Sequence, residues 1–494
     1  MERRVDRLSG REHQIVLGVT VVALLLRLYK LGDHSFWFDE GREILRIQTP
    51  WPELLFISDG ADPPLFRLIH HPISLLTSSE IWLRMPAVLF SVTAVYLAFV
   101  WLNQLKRPRL GLMTAVLLAI APVQIYYAQE VSQYSMTVAL TLLLLITFER
   151  AGKHGRLRDW ILLTVTCIIS IYSYYGLAWL FPVFDLDLAW RTWKKRSRQQ
   201  AIGFLAFHLW LGASIFVLYN FYLAEQFARV TRNEKVSAVF VNPGLMASLR
   251  RLDTQLFSEF ATFLTTPFSL GAPDIVTWFF IALFFFGLLA LSRHQNQAHL
   301  SILLVSLFLA IYVAYGYGFY PFGHRYGLLL SPLIFTAVSA GILWLWTWRP
   351  AGMISFALVI FIFIAFLPNL PFSPNPWLRL PRENIRPAVQ HMNERLAPSD
   401  HIFVYYGAVP AYGVYQPTPP VPTTIGSWFR SEPLPDKLAE IETAVGTAPR
   451  FWLIMSHLDQ NERDELIDGL IDSNFDLSDR FIETNAEVML FTAR

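Results

Sequence analysis

The chain has 494 residues, 54% of them hydrophobic and only 16% charged, with a formal net charge of +2. A soluble chain usually carries about 25% charged residues, so this composition excludes an ordinary soluble enzyme. No basic face interleaved with aromatics suggests a nucleic-acid partner, and a single cysteine, Cys167, excludes an intramolecular disulfide framework.

The apolar residues come in runs of roughly 17–25, the length that crosses a bilayer. Met1–His13 is polar and basic, and the apolar run after it is long enough to stay as a span, so no cleavable signal peptide is expected. The first span is Gln14–Leu31. A long loop, Gly32–Leu83, follows. The second span is Arg84–Leu105, the third Leu110–Tyr127 and the fourth Tyr134–Phe148. Asp159–Trp190 is too long for one span and divides into two near Ser173–Gly176. The seventh is Ala201–Tyr222, with a long loop behind it. Val276–Leu291, His299–Tyr317, Tyr326–Trp346 and Gly352–Leu367 complete a set of about eleven. The reading is thus an α-helical polytopic membrane protein, with residues 1–367 as the membrane domain and 368–494 as a second domain of soluble composition.

Basic residues set the orientation. With the N-terminus cytoplasmic, Arg3/Arg4/Arg7/Arg11, Lys106/Arg107/Arg109, Arg150–Arg158, Arg191–Arg198, Arg293 and Arg349 all fall inside. The alternate short connections, Ala128–Gln133 and Gly318–His324, hold no Lys or Arg. This is the positive-inside pattern, and an odd number of spans puts the C-terminal domain outside the cytoplasm, as expected of a protein of the plasma (inner) membrane. That tail reads as a small α/β domain: helical spacing over Glu383–Leu396, β-type runs at His401–Tyr406 and Arg450–Met455, a helix over Asp459–Ser473 capped by Asp459, and a closing hairpin from Phe481–Thr484 and Val488–Thr492. Pro417–Pro422 reads as a rigid loop.

The candidate chemistry gathers at the outer face. After the first span comes Phe36-Trp37-Phe38-Asp39-Glu40-Gly41-Arg42-Glu43. Ionisable groups at a membrane edge are costly unless used or solvated. Carboxylates there can act as a general base on a hydroxyl or bind a divalent cation. The other reading is a solvated acidic helix start, favoured by the helix dipole. Further on are Asp62-Pro63-Pro64-Leu65-Phe66 and Arg67-Leu68-Ile69-His70-His71. Adjacent His70 and His71 point in different directions on a helix, which suits packing or hydrogen bonding better than one metal; His70 is kept as a candidate substrate contact. Leu83-Arg84-Met85-Pro86 places Arg84 at the mouth of the second span. Tyr126-Tyr127-Ala128-Gln129-Glu130 holds Glu130 in a turn too short to reach water, so it must face a cavity. Gly323-His324-Arg325-Tyr326 opens the tenth span. Arginine forks match phosphate oxygens, while snorkelling to headgroups is the plainer role for Arg84 and Arg325. Acids and arginines on one face suit an anionic, membrane-held substrate such as a lipid-linked phosphate. No Gly-rich nucleotide loop is present.

On these residues the sequence resembles the GT-C superfamily of polyprenyl-phosphate-sugar-dependent glycosyltransferases. It is most similar to the branch of protein O-mannosyltransferases and the lipid A aminoarabinose transferase. The matching pieces are Trp37-Phe38-Asp39-Glu40, Pro63-Pro64-Leu65-Phe66, Leu83-Arg84-Met85-Pro86, Tyr127-Ala128-Gln129-Glu130 with Tyr134-Ser135, and Arg325-Tyr326 with Pro332. The resemblance implies inverting transfer from a polyprenyl-phosphate sugar to a hydroxyl acceptor. It implies Asp39 as base, Glu40 and Glu130 as site acids, and Arg84, Arg325, Tyr326 and Tyr127 as substrate contacts. The family often has His before the paired prolines, where this chain has Asp62. Metal use varies within the superfamily, so a divalent metal stays open and no ligand is assigned. The Trp-Trp-Asp-Tyr-Gly run of the oligosaccharyltransferases is absent. The reading from another class is a polytopic transporter or flippase, which predicts midplane charges and repeat symmetry. A third is a scaffold protein whose outer tail binds a partner. In the tail, Tyr405-Tyr406-Gly407 and Trp428-Phe429-Arg430 suit sugar stacking or simple packing.

Overall fold

The computed structural model describes residues 2–56, 62–226, 228, 274–293, 298–316, 324–365, 383–417, 421–427, 433–446, 448–457, 460–473 and 475–494. Packing divides the chain into two units. The first holds residues 1–29, 51–69 and 84–379, and the second holds 30–50, 70–83 and 380–494. The sequence-based boundary at 367/368 follows chain order. Packing instead takes two pieces of the Gly32–Leu83 loop into the C-terminal unit.

The first unit is helical. Its helices are α1 (Glu2–Leu28), α4 (Glu80–Gln104), α5 (Pro108–Ile120), α6 (Pro122–Ala128), α7 (Tyr134–His154), α8 (Leu157–Ser173), α9 (Phe181–Lys195), α10 (Arg198–Leu218), α11 (Asp274–Arg293), α12 (Ala298–Gly316), α13 (Ser331–Leu345) and α14 (Arg349–Ala365). Two short helices of the loop precede α4 in the chain: α2 (Phe38–Ile47), which belongs to the second unit, and α3 (Leu65–Ser74), which runs across the division at 69/70. Every apolar run expected to span contains a helix or a bent helix pair. By length and apolarity, however, only five described stretches suffice to cross a membrane, or six if the α5–α6 pair, bent by 59°, counts as one. The sequence expectation of about eleven is not reproduced on that criterion. The tenth and eleventh segments merge into Arg325–Ala365. In α9, Asp185, Asp187, Arg191, Lys194 and Lys195 interrupt the apolar run within 15 residues.

Prolines and glycines place the breaks. Pro108 opens α5 and Pro122 opens α6, each at a first-turn position where the missing N–H costs nothing. Gly155 ends α7 with φ +63°, a left-handed cap that glycine adopts freely. Close helix approach relies on small residues. A Cβ at Gly287 of α11 would lie 1.7 Å from the Ala337 carbonyl oxygen of α13, and one at Gly341 would lie 2.3 Å from that of Leu283. This is how apolar helices pack where no hydrophobic driving force separates protein from lipid.

The second unit contains a five-stranded sheet in the order β2-β1-β3-β5-β4. The strands are β1 (His401–Val404), β2 (Thr423–Ile425), β3 (Arg450–Ser456), β4 (Phe475–Glu483) and β5 (Ala486–Ala493). β1 pairs parallel with both β2 and β3, and β5 pairs antiparallel with β3 and β4. Alternate residues face opposite sides. Ile402, Val404, Trp452, Ile454 and Val488 pack on α15 (Ile385–Arg395) and α16 (Val409–Tyr415). Phe403, Phe451, Leu453, Met489 and Phe491 pack on α17 (Leu434–Val445) and α18 (Gln460–Asp472). The α/β tail is therefore present, with β4 longer than the expected Phe481–Thr484 and with β2 as an unexpected edge strand. Asp459, Trp428-Phe429-Arg430 and residues 418–420 of the proline-rich loop lie outside the described residues, as do most of the loop after the seventh span and all of Gly318–Gly323.

Candidate active site

Asp39 and Glu40 lie in the first turn of α2, where the positive end of the helix dipole favours a carboxylate. Glu40, Glu43 and Arg46 are buried, while Asp39 is half-buried. Glu43 and Arg46 form an ion pair of 3.3 Å one turn apart. The residue before the helix, Trp37, supplies no side-chain cap. The second unit supplies one instead: the Glu383 carboxylate, 3% exposed, accepts the Phe38 N–H through Oε2 at 3.0 Å. The preceding residues are held too. Ser35 Oγ donates to the Glu383 carbonyl at 3.1 Å, and the Phe36 N–H donates to the Tyr415 hydroxyl at 2.8 Å. The Tyr415 hydroxyl in turn donates to Glu80 Oε1 at 2.8 Å, which also accepts from Arg386 at 2.6 Å. Gly41 lets α2 approach α16, since a Cβ there would lie 2.6 Å from the Pro410 carbonyl carbon and oxygen.

His70 is fully buried in this same unit. Its neighbour His71 places Nδ1 2.6 Å from the Ile47 carbonyl oxygen at the end of α2. Among the described residues no group of three or more His, Cys, Asp or Glu is arranged to hold a metal ion.

In the first unit, the break between α5 and α6 shapes the turn at residues 128–133. Pro122 has no N–H to give the Leu118 carbonyl. The buried Arg27 of α1 fills the gap, donating to the Leu118 oxygen at 3.0 Å, the Ala119 oxygen at 2.8 Å and Ser91 Oγ at 2.8 Å. Behind it, Gln129 donates to the Arg27 and Tyr29 carbonyls at 3.0 and 2.7 Å. The turn that carries Tyr127 and Glu130 is thereby tied to α1. Asp62 is tied to the end of the same turn, accepting from Gln133 Nε2 at 2.8 Å. Its carbonyl accepts from Gln226 at 3.3 Å, and Gln226 Oε1 accepts from the Tyr175 hydroxyl at 3.0 Å.

Around Tyr134 the unit assembles a cluster of aromatic rings. Its ring centroid is 5.4 Å from that of Tyr127, 6.3 Å from Tyr174 and 6.4 Å from Tyr326. The Arg325 guanidinium carbon stands 5.7 Å from the centroids of both Tyr134 and Tyr326. Arg325 is partly exposed at the short 3-10 turn His324–Leu330. Ring faces attract a guanidinium through its charge, and its planar fork of N–H donors matches the oxygens of an anion. Arg84 and Glu130 are 3% and 4% exposed, far more enclosed than a snorkelling arginine or a solvated acid would be.

The structure thus gathers Tyr127, Arg325 and Tyr326 in one cluster, with Arg84 and Glu130 buried in the same unit. Asp39, Glu40 and His70 belong to the other unit. Sequence reasoning missed Arg27, Tyr174 and Glu383, and it gave Tyr134 only as part of the resemblance, without a role. Arg27 had a signal, being an ionisable residue inside an apolar run. Glu383 had none, because its role depends on a fold that brings it back 345 residues to Phe38. Tyr405 is buried with its hydroxyl on Glu462 at 2.9 Å, which makes it a core residue and not a sugar platform.

The sequence pattern of the dolichyl-phosphate-mannose-protein mannosyltransferase family matches residues 61–221. A search of curated proteins finds no match. Among solved structures, the fold is similar to that of ArnT from Cupriavidus metallidurans bound to undecaprenyl phosphate, with a TM-score of 0.57 at 11% identity, over 96% of this chain and 97% of that one. The Archaeoglobus fulgidus oligosaccharyltransferase tethered to an acceptor peptide aligns with a TM-score of 0.49 at 11% identity, over 96% of this chain and 74% of that one.

Proposed function

We propose that this chain, a member of the GT-C superfamily in its mannosyltransferase and ArnT-like branch, moves a sugar from a polyprenyl-phosphate donor to a hydroxyl acceptor outside the cytoplasm. The observation that carries this reading is the match of residues 61–221 to a family that works from a lipid-phosphate sugar. The ArnT structure, bound to undecaprenyl phosphate, supports the donor class. The positive-inside pattern supports a plasma-membrane protein with the acidic loop and C-terminal domain on the outer side.

In this reading the acceptor hydroxyl attacks the anomeric carbon as Asp39 takes its proton. The new C–O bond forms as the bond to the phosphate oxygen breaks, and the electron pair leaves with the polyprenyl phosphate. A single displacement inverts the anomeric centre. Asp39 suits the base, being half-buried and near the start of its helix. The Arg325 guanidinium, framed by Tyr134 and Tyr326, suits the charge that develops on the phosphate. Arg84 is a second phosphate contact. Glu40 and Glu130 are the further site acids, and Tyr127 and His70 line the substrate. A divalent cation would bind carboxylate oxygens, and no step above passes through one.

The test is transfer from labelled polyprenyl-phosphate sugars to an envelope fraction, comparing wild type with Asp39→Asn. Removing a general base should cost about 10²–10⁴-fold in kcat with donor binding kept. Wild-type rates in a folded Asp39→Asn protein would remove Asp39 from the chemistry.

A further inference from the structure

We infer that Glu383 of the C-terminal domain is a positioning residue for the catalytic helix α2, with His457 as its support, so that the domain is part of the transfer machinery. This rests on the reading of Asp39 as the base.

Helix α2 begins without a cap of its own. Trp37 supplies no side-chain cap, and the first-turn N–H groups of any helix need partners. Glu383 meets one of them: Oε2 accepts the Phe38 N–H at 3.0 Å. Phe38 is the residue before Asp39, so this bond fixes the backbone from which the base projects. A carboxylate in this place also faces the positive end of the helix dipole.

The other oxygen of Glu383 is held separately. Oε1 accepts from His457 Nδ1 at 2.6 Å. His457 follows β3 with φ 58°, a left-handed conformation that a non-glycine residue rarely adopts. Such a strained backbone persists only where the surrounding structure holds it. Here the His457 ring stacks on Phe38, with centroids 4.7 Å apart and planes 20° from parallel. The same imidazole thus grips the carboxylate and covers the residue that the carboxylate caps.

Both partners stand on firm supports. Asn384, next to Glu383, takes the Thr484 carbonyl through its N–H at 2.9 Å and Glu483 through its side chain at 3.1 Å. His457 directly follows β3, whose residues pair with β1 and β5. The sheet's geometry is transmitted to the first turn of α2 through three side chains: Glu383, His457 and Phe38.

The experiment uses full-length purified protein with Glu383→Ala, Glu383→Gln and, as a control on the exposed side of α15, Glu394→Gln. Amide hydrogen exchange over residues 36–47 is read beside donor-transfer kinetics. Loss of a cap should speed exchange in the first turn of α2 by about tenfold. We expect Glu383→Ala to show that increase, with kcat down by about tenfold and donor KM changed by less than about twofold. Glu383→Gln keeps an oxygen acceptor for the Phe38 N–H and should recover most of both. Unchanged exchange over residues 36–47 in Glu383→Ala overturns the proposed contact. Faster exchange with wild-type kcat overturns its part in transfer. Absence of transfer by the wild type from any lipid-linked donor defeats the underlying functional reading, and the exchange result then decides by itself whether Glu383 holds α2.

Discussion

Arg27→Met is the most informative single change in the membrane unit. The side chain is fully buried and donates to the carbonyls of Ala23, Leu118 and Ala119 and to Ser91 Oγ. Leu118 gains no helical partner from Pro122, so its oxygen depends on Arg27. Methionine fills most of the volume without donating anything. Stranding two buried carbonyls costs about 1–3 kcal/mol each. Removing the charge recovers part of the several kcal/mol spent on desolvating a guanidinium. The net expectation is a loss of about 2–3 kcal/mol, with Arg27→Lys losing less because one ammonium still reaches a carbonyl. The assay is thermal unfolding of the detergent-purified protein by tryptophan fluorescence. At about 2–4 °C per kcal/mol, Tm should fall by several degrees in Arg27→Met and by less in Arg27→Lys. The proposed transfer activity should fall too, because the Arg27 side chain holds the α5–α6 break that leads into the turn carrying Tyr127 and Glu130. A Met variant with the wild-type Tm would refute the view that Arg27 caps the broken helix.

Gly287→Ala should lower Tm and the yield of folded protein, because its Cβ would lie 1.7 Å from the Ala337 carbonyl and α11 would have to move off α13; overpacking of this kind costs about 1–3 kcal/mol or more, and size-exclusion profiles with thermal scans read it. The C-terminal unit should lose stability in acid. Burial raises the Asp400 carboxyl, but hydrogen bonds from Arg450, the Ala397 N–H and Trp452 outweigh it and leave the pKa lowered. Burial likewise raises Asp479, and the hydrogen bond and charge of His391 lower it overall. A carboxylate with a lowered folded pKa stabilises the fold above its unfolded value of about 3.9, and that contribution disappears as pH falls through the folded value. Protection factors for β3 and β5 amides, taken relative to the intrinsic exchange rate at each pH, should therefore fall from pH 5 toward about pH 3, with a shallower pH dependence in Asp400→Asn than in wild type.

Several features were legible in the chain because they are local. Apolar runs of bilayer length, prolines at helix starts and the charge pattern each act over a few residues, and helices occupy every run they mark. The α/β character of the tail was legible too, since β3 and β5 are short continuous apolar runs, buried on both faces, set among helical patterns. The acidic loop could be singled out by its place after an apolar run, and the structure puts Asp39 and Glu40 at the start of a helix, as their dipole preference suggests.

Tertiary structure decided the rest, because those features join residues far apart in sequence. No local pattern could show that Glu383 would cap α2, or that Arg27 would serve carbonyls 91 and 92 residues away. A hydrogen bond needs a partner within about 3 Å, and sequence carries no such distance for residues on separate elements. The same reason explains the division into units: segments 30–50 and 70–83 interrupt the membrane helices in order but pack with the C-terminal sheet domain. The sequence determined which residues supply the acids, arginines and aromatic rings of the candidate site, and folding determined which other residues hold them in place.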